Sequence, residues 1–342
     1  MRPLGPLCDA VRSPGLAVLQ APPGAGKTTR VPLALLDQVE GRILILEPRR
    51  VATRAAAERM AEDLGEAVGE TVGYRMRGAR EVGPETRIEV ITDGLLTRMI
   101  QSDPELPGVG AVIFDEFHER ALAVDLGLAL CLEVRGAVRP DLALIVMSAT
   151  LDAGPVAALM GDAPVITSEG RAYPVETRYA PTRRGPQERI GAWVAEAVRV
   201  ALAEAGGGVL VFLPGAGEIG QVERALGDLG SGVEVRPLYG SMPIVAQRTA
   251  IRAVPDGARK VVLATSIAET ALTIEDVRVV IDAGLARRSR FDAGSGMARL
   301  VTERVTRVAP AHVLTHIHVG TDPKARQVRG RLQDALRGRQ KM

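Results

Sequence analysis

The stretch LAVLQAPPGAGKTT, residues 16–29, decides the fold class. Its first five residues are almost continuously apolar, the pattern of a strand covered on both faces. A Gly- and Pro-rich turn over 21–26 follows, and beyond Lys27 the chain becomes apolar again. A strand, a tight turn and a helix in that order aim successive backbone N–H groups, and the positive end of the helix, at one point. That makes an anion site for nucleotide phosphates. Lys27 would neutralise the β- and γ-phosphates there, and the Thr28 hydroxyl would ligate Mg²⁺. The usual pattern opens on Gly where this chain has Ala21, a departure that falls before the tight part of the turn.

Outward from this point, short apolar runs alternate with helical stretches, as βα units around a mainly parallel sheet require. Further strands are expected at RILILE (42–47), RIEVIT (87–92), GAVIFD (110–115) and LALIVMS (142–148), with an amphipathic helix over 51–64 closed by Gly65. The pattern pauses after Met160 and resumes with an extended segment at 171–181 and a helix over 189–205. The apolar stripe of that helix holds Ile190, Trp193, Val194, Ala197, Val198, Ala201 and Leu202, which places Trp193 in the core. Strands VLVFLP (209–214), VEVRPLY (233–239), KVVLAT (260–265) and VRVVID (277–282) come next, then two β-like arms around a Gly-rich turn within 286–304. Two α/β units, 1–168 and 169–308, are followed by a divergent, irregular tail at 309–342.

Composition narrows the function. At 342 residues the chain is long for one domain, and 46% hydrophobic with 25% charged residues is the balance of a globular protein with real cores. No apolar run reaches the roughly 18–20 residues of a membrane span, and the opening residues show no signal-peptide core. Cys8 and Cys131 are too few for a disulfide framework or a metal cluster, so a reducing, cytoplasmic setting is expected. A formal charge of +2 excludes wholesale electrostatic attraction to nucleic acid; any basic surface is local.

Two further segments carry chemistry. Asp115 and Glu116 follow the strand GAVIFD, and a carboxylate at the tip of a parallel strand lies beside the phosphate turn. Asp115 can hold Mg²⁺ through its water shell, and Glu116 can accept a proton from an attacking water. His118 beside them suits a coupling role. Ser148 and Thr150 stand at the tip of the next strand, where two hydroxyls can bond the acidic segment and report the nucleotide's state.

The phosphate turn, the DEFH at 115–118 and the SAT at 148–150, in this order and spacing, resemble the superfamily 2 helicases of the DEAH/RHA group. Further matches are EPRRVATRAAAERM (47–60), VGYRMRG (72–78), TDGLLTRMI (92–100), EGRAYPVETRY (169–179), VLVFLPGAGEI (209–219) and ATSIAETALTIEDVRVVIDAGLAR (264–287). The resemblance covers roughly 14–307 and implies two tandem RecA-like parallel-sheet domains. It implies ATP and Mg²⁺ as cofactors, with Gly24, Ala25, Gly26, Lys27, Thr28 and Thr29 at the nucleotide, and Asp115, Glu116 and His118 in hydrolysis. It implies Ser148 and Thr150 in coupling, and Arg49, Arg50, Thr92, Gly94, Thr265 and Ser266 along the backbone of a single strand of nucleic acid, RNA before DNA. Hydroxyls, main-chain N–H groups and a few Arg can hold phosphates without reading bases. Each such position also has a purely structural reading, such as Thr92 capping the following helix. No membrane and no obligate oligomer are implied.

The resemblance stops after Val308. There the family carries a glutamine–arginine–x–glycine–arginine–x–glycine–arginine block, whose arginines act as fingers on the γ-phosphate, followed by a winged-helix domain. This chain instead reads APAHVLTHIHVGTDPKARQVRGRLQDALRGRQKM. Arg326, Arg329 and Arg331 lack the second glycine–arginine repeat and sit about twenty residues late. The leading expectation is an ATP-dependent helicase or translocase. The alternative is a nucleotide-gated nucleic-acid binder that hydrolyses poorly.

Overall fold

The computed structural model describes residues 4–22, 25–149, 153–168, 176, 178, 190–268, 274–292, 294 and 296–304. Gly24, Thr150, the extended segment expected at 171–181 apart from Glu176 and Arg178, and the tail with its three histidines lie outside the described residues. The chain divides into two units, Met1–Ala172 and Tyr173–Met342.

The first unit runs α1 (Leu4–Arg12), β1 (Leu16–Gln20), α2 (Lys27–Leu35), β2 (Arg42–Leu46), α3 (Arg50–Leu64), β3 (Val72–Met76), β4 (Ala79–Glu81), β5 (Ile88–Ile91), α4 (Asp93–Ser102), β6 (Val109–Phe114), α5 (Leu122–Ala137), β7 (Ala143–Ser148), α6 (Ala153–Leu159) and β8 (Val165–Thr167). Its eight strands lie in the order β4-β3-β5-β2-β6-β7-β1-β8, all pairs parallel except β3 with β4. The central strands are buried on both faces because helices cover both. Leu7, Leu35 and Met60 of α1–α3 close one side, and Leu96, Leu128 and Val156 of α4–α6 close the other. The helix expected at 51–64 begins one residue earlier and ends at Gly65, whose φ of 73° lets its N–H turn back to the Glu62 carbonyl.

One consequence of this order positions the site. Strands β2, β6, β7 and β1 are consecutive neighbours, with Leu46 opposite Phe114, Phe114 opposite Val146, and Gln20 opposite Ser148. Their C-terminal ends therefore present Glu47, Asp115, Ser148 and the phosphate turn side by side. A parallel sheet places its ligand crevice at that edge.

The second unit runs α7 (Ile190–Glu204), β9 (Gly208–Phe212), α8 (Ala216–Leu226), β10 (Val233–Leu238), α9 (Ile244–Ile251), β11 (Arg259–Ala264), β12 (Val277–Asp282), β13 (Leu285–Asp292) and β14 (Met297–Arg304). Its parallel sheet has the order β10-β11-β9-β12, and β13 and β14 form a separate antiparallel ribbon. Val194 and Val198 of α7 pack with Ile219 and Val222 of α8 on β9 and β11, while Trp193 is partly buried at the margin of that core. Adjacent side chains of a strand leave on opposite faces, and β11 uses this to end two helices. Arg259 donates to the carbonyls of Leu202, Ala205 and Gly207 at the end of α7; the Lys260 ammonium donates to Ile251 and Arg252 at the end of α9.

Candidate functional site

The phosphate turn leaves β1 at Gln20 and enters α2 at Lys27 through Gly26, whose φ of 75° lies in the left-handed region that glycine adopts without strain. No acidic side chain stands in the first turn of α2, so its positive end is not neutralised from within the helix. Lys27 is buried, and its ammonium donates to the carbonyls of Ala21 (2.9 Å) and Pro22 (3.4 Å). Those carbonyls hold the side chain inside the loop.

Asp115 follows β6, and its N–H donates to the Leu46 carbonyl of β2 (3.2 Å), so sheet pairing continues to the edge of the site. Its carboxylate is buried: Oδ1 accepts the Glu116 N–H at 2.8 Å, and Oδ2 lacks a hydrogen-bond partner among the described residues. Burial, reinforced by the Glu116 charge, pushes its pKa up from 3.8 to about 7, against the pull of Lys27 and the Thr28 hydroxyl. These influences tie the turn and the acidic segment into one site. Glu116 takes φ 48°, ψ 35°, a left-handed conformation that costs a non-glycine residue of order 1 kcal/mol or more and re-aims its side chain.

His118 lies on the one-turn helix Phe117–Glu119. Its Nδ1 accepts the N–H of Ala149 (3.5 Å), and Nε2 stands 3.4 Å from Glu116 Oε2. A neutral imidazole that accepts at Nδ1 carries its proton on Nε2, the nitrogen facing Glu116. His118 thus joins the segment after β7 to the carboxylate after β6. Ser148 is fully buried between these parts.

Sequence reasoning missed Glu47 as a member of the site. It is fully buried at the tip of β2, with neither carboxylate oxygen hydrogen-bonded among the described residues. Burial first, then the charges of Asp115, Glu116 and Glu119, push its pKa well above the ordinary carboxylate value. Its contacts arise from strand neighbours far apart in the chain, so no local spacing announces it.

The candidate backbone-contact residues of the first unit lie at two helix starts beside this edge. Arg49 caps α3, whose first turn has no acidic residue, and Arg50 begins it. Thr92 stands at the N-cap of α4, but its hydroxyl makes no capping hydrogen bond, so the structural reading of Thr92 is not realised through its side chain. Gly94 has open space where a Cβ would be. In the second unit Thr265 leaves β11 and Ser266 opens a short helical turn.

The elevated Asp115 pKa has a stability consequence. A proton bound by the folded chain and absent from the unfolded one between pH 4 and 7 stabilises the fold at the acid end. That contribution, a few kcal/mol, is lost as pH rises through about 7. Asp115→Asn is therefore expected to raise the melting temperature at pH 8 and change it little at pH 4. Equal shifts at both pH values would contradict it.

Comparisons with known proteins agree with this geometry. Residues 8–158 match the DEAD/DEAH box helicase family and 193–309 the helicase conserved C-terminal domain. The chain is 52% identical over 295 residues to the ATP-dependent RNA helicase HrpB of Escherichia coli, covering 85% of this chain and 36% of that protein. It is 36% identical over 311 residues to the pre-mRNA-splicing factor ATP-dependent RNA helicase prp22 of Schizosaccharomyces pombe, covering 87% of this chain and 26% of the relative. The crystal structure of the Escherichia coli DEAH/RHA helicase HrpB superposes with a TM-score of 0.85 at 49% identity, over 93% of this chain and 40% of that one. The chain thus spans between about a quarter and a third of the length of these curated relatives. Two helicase domains, each on a parallel α/β sheet, with the phosphate turn and the acidic segment at one sheet edge, place this chain in the DEAH/RHA group of the DEAD/DEAH box helicases.

Proposed function

We propose that the chain is the ATP-binding and motor part of an ATP-dependent RNA helicase or translocase, coupling ATP hydrolysis to movement along a single strand. The observation that carries this reading is the convergence of buried Lys27, Asp115 and Glu116 on the phosphate turn. Lys27 exchanges its two loop carbonyls for phosphate oxygens, a gain in charge-assisted hydrogen bonding. Glu116 takes the proton of the attacking water, and His118 Nε2 lies beside its carboxylate, 3.4 Å from Oε2.

The site suits Mg²⁺. Thr28 and Asp115 offer the hard oxygen donors this ion takes, and Asp115 Oδ2 has no competing hydrogen-bond partner among the described residues. No group of three or more potential ligands forms a cage among the described residues, and an ion that keeps waters and takes phosphate oxygens needs none. When bound, the ion would neutralise charge developing on the phosphates. Gly24, Ala25, Gly26 and Thr29 would complete the nucleotide cradle, and Ser148 and Thr150 would relay its state.

Arg49, Arg50, Thr92, Gly94, Thr265 and Ser266 would hold a sugar–phosphate backbone, and the name of each curated relative favours RNA over DNA. Among the described residues no helix is long and apolar enough to cross a membrane. A cytoplasmic setting fits the two cysteines, Cys8 and Cys131.

The test is Lys27→Ala. Removing the Lys27 ammonium from the loop is expected to weaken binding of a fluorescent ATP analogue at least about a hundredfold, the equivalent of a lost charged contact. Unchanged affinity would overturn the assignment of the site.

A further inference from the structure

Glu119 ends the one-turn helix that carries His118, and the reading above gives it no task. Its side chain is 22% exposed; Oε1 is buried without a hydrogen-bond partner among the described residues, and Oε2 lies 3.4 Å from Arg49 Nη2. Arg49, itself 25% exposed, stands at the start of α3, seventy residues away in the chain. The other attachments of the turn are separate. His118 holds Ala149, while Arg120 pairs with Asp125 and covers the Phe117 ring. Glu119 is thus the point at which the turn bearing Glu116 is tied to α3.

We propose that the Arg49–Glu119 ion pair is a latch through which a nucleic-acid phosphate acts on the Glu116–His118 turn, making Glu119 a positioning residue for hydrolysis. The inference rests on the reading that Arg49 holds a single strand's backbone. A phosphate arriving at the start of α3 competes with Glu119 for the guanidinium, and it offers a bidentate, doubly charge-assisted partner. Once it wins, Glu119 is left without its cation beside Glu47, whose electrostatic surroundings already include Asp115 and Glu116. A largely buried carboxylate without its cation is costly, and a shift of the turn that re-solvates it carries Glu116 and His118 along. A partly exposed pair is cheap to open, which suits an exchangeable contact better than a structural one. Coupling is reciprocal, so a nucleotide that moves the turn also alters how readily Arg49 takes a phosphate.

The test uses binding alone, on the full chain: fluorescence anisotropy of a labelled single-stranded oligo-uridine, with and without a non-hydrolysable ATP analogue. Glu119→Gln is expected to tighten RNA binding about threefold to fivefold, the worth of a partly exposed pair, and to shrink the effect of the analogue on RNA affinity. Glu119→Asp keeps the charge but lengthens the pair, so it should also tighten binding, which loss of a repulsive charge cannot explain. Arg49→Ala should weaken RNA binding and abolish the gain from Glu119→Gln in the double variant. Glu62→Gln, an exposed carboxylate on the same helix, should leave affinity unchanged. If Glu119 only supports the fold, both of its variants lower the melting temperature without tightening RNA binding, and the latch is overturned. A parent chain that binds no RNA overturns the nucleic-acid reading of Arg49, and the latch with it.

Discussion

Replacing residues 309–342 by a QRAGRAGR block and the domain that follows it in the family is expected to raise ATP turnover about 10³–10⁵-fold, the range measured for arginine fingers. ATP affinity should change by less than about tenfold. The asymmetry follows from where each charge acts. On the reading proposed above, Lys27 and the phosphate turn would meet the nucleotide in the ground state, and Lys27 is held inside that turn. Finger arginines make interactions that strengthen as charge develops on the transferring phosphoryl group, so their loss lowers the rate more than the binding. Within the second unit, Arg287 pairs with Glu218 at 3.4 Å, a contact it would have to give up in order to act as a finger. Equal, RNA-stimulated rates with and without the block would show that an arginine already in this chain supplies the charge.

Much of the architecture was legible because its strands are covered twice. Near-continuous apolar residues at 16–20, 42–46, 109–114 and 143–148 suit a strand that helices close on both faces. The strands that sequence reasoning passed over, β3, β4 and β8, lie toward the edges of the sheet and lack that run. β4 is Ala-Arg-Glu, β8 has three residues, and β3 carries Gly73, where a Cβ would collide with the Glu81 carbonyl oxygen. The same contrast governs the site. Lys27, Asp115 and Glu116 announce themselves because each directly follows a strand or a glycine turn. Glu47 and the Glu119–Arg49 pair do not, since their neighbours are set by the pairing of β2 with β6. A register between strands about seventy residues apart leaves no local mark.

Glu116→Gln, made in the version carrying the arginine block, is expected to lower ATP turnover about 10²–10⁴-fold, the usual contribution of a positioned base. ATP affinity should stay within a few-fold, so the variant traps the nucleotide. The substitution keeps the size and the hydrogen-bonding reach of the side chain. The amide takes the same place beside His118 Nε2, which stands 3.4 Å from the carboxylate in the parent. What is lost is the capacity to take a proton. The buried negative charge goes too: Glu116 raises the Asp115 pKa, so its neutralisation should ease ionisation of Asp115 and leave Mg²⁺-dependent binding intact or tighter. Asp115→Asn has the opposite profile, losing the Mg²⁺ dependence of nucleotide binding along with turnover. Two adjacent carboxylates are thereby separated by what each variant spares, through titration of a fluorescent ATP analogue with and without Mg²⁺ beside steady-state phosphate release. Parent-like turnover in Glu116→Gln would mean that another group activates the water, and Glu47, buried at the tip of the neighbouring strand, would be the first to replace.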